Sequence, residues 1–394
     1  MLLFPAAIHH IAMKFNPALE RLSTYPFVQL EVAKREAAER VGELIDFGVG
    51  DPMETTPEFI RQALVESIAE KSSYPRAAGL PETRAAIAGW CKRRFGVDVD
   101  PETEVLPSSG SKEAIFALAQ IAVDRSADKN VVVIPEPGYP IPLRGAELNG
   151  CGVLKVPLRE DNGFLPDLES IDDETWKSIA LFWINYPHNP TGAVAPLSFL
   201  EQLASKAAEH EFLMASDEAY SEIYFGEPPH SALEVADRSN VVVFNTLSKR
   251  SAMTGYRSGS IVADGSVMAL MQRYRPLAGT ASPEFIQRAA AAAWQEETHV
   301  EQMRSIYAAK RAVIEPFLTG KGLRIAGSEA TFYLWVATPD DEPPEAFALR
   351  LLQGGVVVAP GTFFGEPGRG YVRMALVPTL EQCRKAVDLL DEVI

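Results

Sequence analysis

The chain has 394 residues, of which 37 are basic and 53 acidic, so its formal net charge is −16. A hydrophobic share of 47% and a charged share of 23% are typical of a globular protein and exclude a disordered chain. The negative charge argues against binding of nucleic acid or an anionic membrane through the overall field, although a small anionic substrate needs only a few local cations.

The first residues predict neither a targeting segment nor a membrane segment. The sequence has no apolar run of the roughly 18 residues that a membrane helix needs. Its apolar start lacks the basic region of a signal peptide, and Met13 offers an alternative initiator. The three cysteines are odd in number and far apart, which favours neither a disulfide framework nor a zinc site. We therefore expect a cytoplasmic protein without a bound metal.

Short apolar segments then alternate with longer helical ones. Strands are predicted at residues 45–50, 131–135, 153–156, 180–185, 212–216, 241–246 and 260–263. Helical periodicity is clear at residues 111–123 and 197–210. Most of the strands are continuous apolar runs, which predicts an α/β fold with a mostly parallel sheet wrapped by helices. Such a sheet binds its ligand at the carboxyl ends of its strands.

The pattern changes after about residue 265. Helices are predicted at residues 266–275, 283–294, 299–318 and 380–393, and strands at 331–336, 356–359 and 371–376. Helices followed by a few strands predict a smaller α+β domain. We therefore expect a large domain at residues 46–275, a small domain at residues 276–394, and an N-terminal segment, residues 1–45, that packs with the small domain.

The most informative stretch lies just beyond the strand predicted at 241–246. Lys249 stands there among small and hydroxyl residues, and Arg257 follows eight positions later. A partly desolvated lysine beside another cation has a lowered pKa, which permits Schiff-base chemistry near neutral pH. A lysine after a strand is more often an ordinary surface cation, but the surrounding pattern favours a nucleophile.

Two further clusters follow buried strands. Asp217 and Tyr220 come after the strand at 212–216, and a carboxylate there is costly to bury unless it meets a cation such as a protonated pyridine nitrogen. The alternative is that Asp217 only caps a helix. Asn189 follows the strand at 180–185 in a segment rich in Pro and Gly, either as a hydrogen-bond donor to the same face or as part of a plain turn.

Two more elements belong to the same edge of the predicted sheet. Ser109, Gly110 and Ser111 open the helix at 111–123, where backbone N–H groups and the helix dipole favour a phosphate. A simple helix cap is the alternative interpretation. Tyr139 follows the strand at 131–135 and offers an aromatic ring.

Taken together, these residues resemble the class I and II aminotransferases of fold type I, which use pyridoxal 5′-phosphate (PLP). The resemblance covers nearly the whole chain, and the motifs occur in the family's order. It implies that Lys249 binds the cofactor covalently and that Asp217 pairs with the pyridine nitrogen. Tyr220, the third catalytic candidate, and Asn189 would hydrogen-bond the 3-oxygen of the ring, on which Tyr139 would stack.

The resemblance also assigns the phosphate and the substrate. The phosphate would be bound by Ser109, Gly110, Ser111, Thr246 and Arg257. Tyr74 would reach the phosphate from the other subunit of a homodimer with shared active sites. Gly50, Asn189 and Arg373 would receive the α-carboxylate of an amino or keto acid. Pro142, where a second aromatic is frequent, departs from the family pattern without removing a catalytic group.

Longer strings at residues 16–27, 215–225, 247–251 and 331–335 look like the succinyldiaminopimelate aminotransferases of bacterial lysine biosynthesis. This resemblance implies transfer between glutamate or 2-oxoglutarate and a keto acid, N-succinyl-2-amino-6-ketopimelate. Substrate scope changes readily within a fold, so an aspartate-type or alanine-type aminotransferase and a PLP-dependent carbon–sulfur β-lyase stay as alternatives. A non-catalytic protein on the same fold is disfavoured because Lys249 and Asp217 are both present. Candidates for the distal carboxylate are Arg76, Lys112 and Arg144.

Overall fold

The computed structural model describes residues 16–21, 26–71 and 73–394. Met13 and much of the segment 1–45 that surrounds it, including residues 1–15 and 22–25, lie outside the described residues. Within the described part of the chain, none of the helices is both long and apolar enough to cross a bilayer.

The strands and helices are numbered in chain order. The strands are β1 (Ile45–Asp46), β2 (Val105–Ser108), β3 (Val131–Glu136), β4 (Gly152–Pro157), β5 (Ile179–Asn185), β6 (Leu213–Asp217), β7 (Val241–Thr246), β8 (Gly259–Ala263), β9 (Ile325–Ala326), β10 (Tyr333–Ala337), β11 (Val356–Val357), β12 (Ala359–Pro360) and β13 (Tyr371–Ala375). The helices are α1 (Pro17–Arg21), α2 (Pro26–Val41), α3 (Glu58–Glu66), α4 (Pro81–Phe95), α5 (Ser111–Ala122), α6 (Ile141–Asn149), α7 (Asp173–Ser178), α8 (Leu197–Glu209), α9 (Leu247–Arg250), α10 (Gly265–Leu277), α11 (Glu284–Gln295), α12 (Thr298–Gly320), α13 (Pro344–Gln353) and α14 (Leu380–Asp391).

The larger sheet has seven strands in the order β2-β8-β7-β6-β5-β3-β4. Neighbouring strands pair in parallel, except that β8 runs antiparallel to both β2 and β7. The predicted mostly parallel sheet is therefore confirmed. As a result, β2, β3, β5, β6 and β7 all end at one edge, and each of them leads into a segment that the sequence singled out.

Both faces of this sheet are buried, which explains the continuous apolar runs. Phe182 and Val243 belong to a core that includes residues of α4, α8 and α11. Their sequence neighbours Leu181 and Phe244 point to the opposite core, which includes residues of α5 and α10. Since successive side chains of a strand face opposite sides, a strand covered twice needs apolar residues at every position.

The smaller sheet is antiparallel, with the order β12-β13-β10-β9, and β1 pairs in parallel with β11. Helices α12, α13 and α14 share a third core with these strands. The strand predicted at 45–50 is shorter than expected. It ends at Asp46, whose Oδ1 accepts a hydrogen bond from the N–H of Gly48 at 2.7 Å, and this turn redirects the chain towards the large sheet.

The domain limits at residues 45 and 275 stay a prediction. Helix α11 lies beyond residue 275 but packs against α3 and α4, and the ring centroids of Trp294 and Trp90 are 4.6 Å apart. Helix α12, in contrast, packs against α14. By packing, the change from the large core to the small one therefore falls between α11 and α12.

Candidate active site

A cleft of about 680 Å³ opens at the carboxyl edge of the larger sheet. Most of the residues singled out in the sequence line it, namely Gly50, Ser111, Tyr139, Asn189, Asp217, Tyr220, Thr246, Lys249, Arg257 and Arg373. They come from five strand ends, from the turn after β1 and from β13. The sheet topology therefore brings together residues that are up to about 320 positions apart in the chain.

Lys249 lies in the single-turn helix α9, directly after β7. The turn is capped by Thr246, whose Oγ1 accepts a hydrogen bond from the N–H of Ser248 at 3.1 Å. The Nζ of Lys249 donates to the carbonyl of Gly50 at 2.6 Å. Burial lowers the pKa of Lys249 to about 8; Asp51 opposes this shift and Arg373 adds to it. With such a pKa, about a tenth of the amine is unprotonated, and so nucleophilic, at pH 7.

Asp217 ends β6 and is 5% exposed. Burial raises the pKa of its carboxyl to about 7, while the N–H of Ala219, 3.2 Å away, and the charge of Lys249 lower it. The helix-cap interpretation is wrong, because a turn and not a helix follows β6. These two contributions offset burial only in part, so an ionised carboxylate in this position needs a further cation in the cleft.

Arg373 lines the cleft and is almost fully buried. Its Nη1 donates to Asn189 Oδ1 at 2.9 Å, and its Nη2 donates to the carbonyl of Gly48 at 2.8 Å. The guanidinium stacks between the rings of Tyr333 and Phe364, at 4.2 and 4.5 Å from their centroids. A planar cation fixed in this way is suited to bidentate recognition of a carboxylate.

Tyr220 is a buried residue that lines the cleft. Its hydroxyl lies 2.6 Å from the hydroxyl of Tyr333, and burial raises its pKa well above the usual range, with a further contribution from Tyr333. Tyr220 therefore stays protonated at physiological pH and remains available as a hydrogen-bond donor.

The opposite end of the cleft is a positively charged concavity at the start of α5. Arg257 packs directly over Gly110, and a Cβ on Gly110 would lie 2.4 Å from Arg257 Nη2. Gly110 also has a φ of +77°, which favours glycine. The N-terminus of α5, Arg257 and the hydroxyls of Ser111, Thr246 and Ser248 form a donor set suited to a phosphate.

We expect Gly110→Ala to weaken cofactor binding at least tenfold, because the new methyl group displaces Arg257 from the phosphate position. Equilibrium titration of the apoprotein with PLP measures the change. Gly96→Ala is the matched control: Gly96 has a similar φ of +74° but nothing within 4 Å of the position of a Cβ. An unchanged PLP affinity in Gly110→Ala contradicts this role of Arg257, and an equal loss of affinity in Gly96→Ala would show that general destabilisation, and not displacement of Arg257, sets the effect.

Three predicted site residues do not line the cleft of a single chain, namely Ser109, Gly110 and Tyr74, although Gly110 lies directly under Arg257. Ser109 lines an adjoining groove, and its hydroxyl lies 3.2 Å from that of Ser282. Tyr74 is fully exposed. The part that each takes in cofactor binding stays a prediction, as do the roles of the residues inside the cleft.

Asp51, Tyr333 and Phe364 also line the cleft and were not among the predicted site residues. Tyr333 lies in the string at residues 331–335, which supports the family resemblance without indicating a site, and no local motif marks Phe364. Asp51 could have been predicted, because it directly follows Gly50, a predicted site residue. Arg76 and Arg144, candidates for a distal carboxylate, do not line the cleft, whereas Lys112 does.

The fold and the cleft define an aminotransferase of the PLP-dependent type. Residues 42–390 match the sequence model of the family "Aminotransferase class I and II", and the chain belongs to this family. The LL-diaminopimelate aminotransferase of Aquifex aeolicus (strain VF5) is 38% identical over 95% of this chain and 98% of its own length.

Two solved structures illustrate the same similarity. An aminotransferase from Neisseria meningitidis Z2491 is 34% identical with a TM-score of 0.89, covering 96% of this chain and all of its own. A protein from Thermus thermophilus, described as a probable N-succinyldiaminopimelate aminotransferase, is 29% identical with a TM-score of 0.86, covering 93% of this chain and all of its own.

Members of this family depend on PLP, and the residues of the cleft fit the cofactor. The donor-rich concavity beside Gly110 suits its phosphate. Asp217 supplies a buried carboxylate that requires a cation, and Lys249 supplies an amine of lowered pKa. When bound, PLP provides an electron sink for charge that develops on the substrate.

Proposed function

We propose that this aminotransferase acts on a diaminopimelate substrate, with glutamate and 2-oxoglutarate as the other pair. The observation that carries the proposal is the name LL-diaminopimelate aminotransferase, which belongs to relatives 37% and 38% identical over 95% of this chain. The cleft is compatible with such a substrate, because the cations that line it include Arg373 and Lys112, which suit the two carboxylates of a diaminopimelate.

A second candidate substrate is the N-succinylated keto acid that the sequence strings imply, N-succinyl-2-amino-6-ketopimelate. It is supported by the structural similarity to the Thermus thermophilus protein, at 29% identity. The two candidates share one reacting end and differ at the other. The distal end carries a free ammonium group in LL-diaminopimelate and a succinyl amide in the second substrate.

The roles of the cleft residues are proposed from the family resemblance, and the geometry of the side chains is compatible with them. Arg373 orients the α-carboxylate, which fixes the bond to be broken relative to the rest of the cleft. The amine of Lys249, once free, accepts the α-proton and later returns a proton, as its pKa near neutrality allows. The carboxylate of Asp217 would keep a proton on the ring nitrogen of a bound cofactor, and Tyr220 would donate a hydrogen bond to an oxygen of its ring.

Rates with several amino donors test the substrate. With 2-oxoglutarate as acceptor, we expect kcat/KM for LL-diaminopimelate to exceed that for aspartate and alanine at least tenfold, or about 1.4 kcal/mol of transition-state discrimination. N-succinyl-LL-diaminopimelate is measured beside it. A tenfold preference for aspartate or alanine contradicts the proposed substrate. Release of pyruvate and ammonia from cystathionine at a comparable rate indicates the β-lyase.

We also propose a homodimer with shared active sites, supported by the full exposure of Tyr74 in one chain. Inactive Lys249→Ala chains are mixed in equal amounts with inactive Tyr74→Ala chains. Half of the dimers are then mixed, and one of the two sites in each mixed dimer carries both intact residues. About a quarter of the wild-type number of active sites should therefore be restored. Refolded mixtures are assayed for transamination. A mixture of Lys249→Ala with Asp217→Asn is the control, since these residues serve the same site and no intact site forms. No recovery in the first mixture contradicts the shared site.

The cytoplasm is the proposed location. Cys91, Cys151 and Cys383 are free thiols, as expected in a reducing compartment.

A further inference from the structure

The charged residues that line the cleft are unevenly distributed. The described residues contribute four cations, Lys112, Lys249, Arg257 and Arg373, but only two carboxylates, Asp51 and Asp217. Asp217 is buried at the end of β6, whereas Asp51 is exposed. Within residues 16–21, 26–71 and 73–394, the side chain of Asp51 forms neither a hydrogen bond nor an ion pair. Asp51 is therefore the carboxylate of the cleft that is open to a ligand.

The backbone around Asp51 is fixed in place. The carbonyl of Gly50 accepts the hydrogen bond from Lys249 Nζ at 2.6 Å, and a Cβ on Gly50 would lie 2.2 Å from the hydroxyl of Tyr333. The N–H of Asp51 donates to the carbonyl of Val49 at 3.0 Å. Asp51 therefore has little freedom to leave the wall of the cleft.

The segment after Asp51 is anchored as well. Glu54 forms a buried ion pair with Lys310 and accepts a hydrogen bond from the hydroxyl of Tyr307 at 3.0 Å. Thr56 Oγ1 donates to the carbonyl of Ala252 at 2.6 Å. A carboxylate carried by a segment held at both ends is preorganised, so a ligand that binds it pays little ordering entropy.

Asp51 also lies within electrostatic reach of the reacting amine. Asp51 raises the pKa of Lys249, and this influence is larger than that of Arg373, which lowers the pKa. A positive group that enters the cleft beside Lys249, Arg257 and Lys112 is repelled by these cations. Asp51 is the nearby charge that compensates this repulsion.

We propose that Asp51 binds the distal ammonium group of LL-diaminopimelate and thereby selects the free diamino acid over its N-succinylated form. This inference rests on the proposed function. While Arg373 holds the carboxylate at the reacting end, the other end of the substrate presents an ammonium to Asp51. Succinylation replaces that ammonium by a neutral amide and adds a carboxylate, which Asp51 repels. The repulsive element is as important to selectivity as the attractive one.

The test compares kcat/KM for LL-diaminopimelate and N-succinyl-LL-diaminopimelate in the holoenzyme and in Asp51→Asn. We expect the ratio of the two values to fall at least tenfold in the variant, mainly through KM for LL-diaminopimelate. Asp51→Glu retains the charge and should keep the preference for the free diamino acid. Glu58→Gln is the matched control, because Glu58 is an exposed carboxylate of the same segment that does not line the cleft.

The outcomes separate the two proposals. A wild-type enzyme that prefers the succinylated substrate contradicts the proposed substrate and the role of Asp51 together. A wild-type enzyme that prefers the free diamino acid, with the same preference in Asp51→Asn, contradicts the role of Asp51 alone. Equal losses of kcat/KM for both substrates in Asp51→Asn also overturn the inference, since Asp51 then acts through Lys249 and not on the distal ammonium.

Discussion

Lys249→Ala should fold like the wild type and lose at least about 10³-fold in turnover, since it removes both the nucleophile and the proton-transferring group. The amine lies 2.6 Å from the carbonyl of Gly50, facing the cleft, and no other lysine except Lys112 lines the cleft within the described residues. Single-turnover assays with glutamate measure the loss. Borohydride reduction of the holoenzyme, followed by peptide mapping, should find the pyridoxyl label on Lys249.

Lys206→Ala is the control for this variant, because Lys206 lies on α8 and pairs there with Glu209, away from the cleft. It should keep full turnover and the same labelled peptide. A pyridoxyl label on any other lysine of the wild type contradicts the assignment of Lys249, and so does turnover within tenfold of the wild type in Lys249→Ala.

Asp217→Asn should lower kcat at least about 100-fold while the protein still binds PLP. The reason is that a neutral amide holds the proton of a ring nitrogen poorly. In other enzymes, removal of one electrostatic stabiliser of the transition state lowers kcat by a similar factor. The amide side chain of this variant keeps an oxygen for the N–H of Ala219, so the turn after β6 is preserved. Absorbance of the bound cofactor and steady-state rates are measured on the same samples.

Without PLP, the Asp217→Asn variant should be at least as stable as the wild type above pH 7. Burial raises the pKa of Asp217 to about 7 in the folded chain. The ionised carboxylate therefore destabilises the folded apoprotein. Folding stability is lost as the pH rises from the unfolded pKa of about 3.9 through 7. Above pH 7, apo Asp217→Asn should therefore unfold at the same urea concentration as the apo wild type or at a higher one. A variant of near-normal turnover and reduced stability would indicate that Asp217 serves the fold and not the cofactor.

The shared location of most candidate cofactor residues could be predicted from the sequence because these residues follow buried strands. Thr246 and Lys249 come just after an apolar run, and so do Asp217 and Tyr220. In a parallel sheet, the carboxyl ends of such runs meet at one edge, so a one-dimensional pattern translates directly into a shared location. The rule explains why residues that are far apart in the sequence line one cleft.

The remaining features depend on contacts that leave no local pattern. Strand β2 has the sequence Val-Leu-Pro-Ser and forms because it pairs with β8, more than 150 residues away in the chain. Tyr333 and Phe364 reach the cleft only because the smaller sheet packs beside the larger one. Their side chains stack on Arg373, an interaction between segments whose sequences look like ordinary core.

The hydrogen bonds of Arg373 have a consequence for the order in which the cleft assembles. They join β13 to Asn189 and to Gly48, across separations of 184 and 325 residues. Contacts of such long range form late in folding, because loop-closure entropy must be overcome first. The residues proposed to bind the cofactor depend chiefly on the larger sheet. A change that loosens the packing of either the N-terminal or the C-terminal part should therefore impair carboxylate recognition while the cofactor residues keep their arrangement.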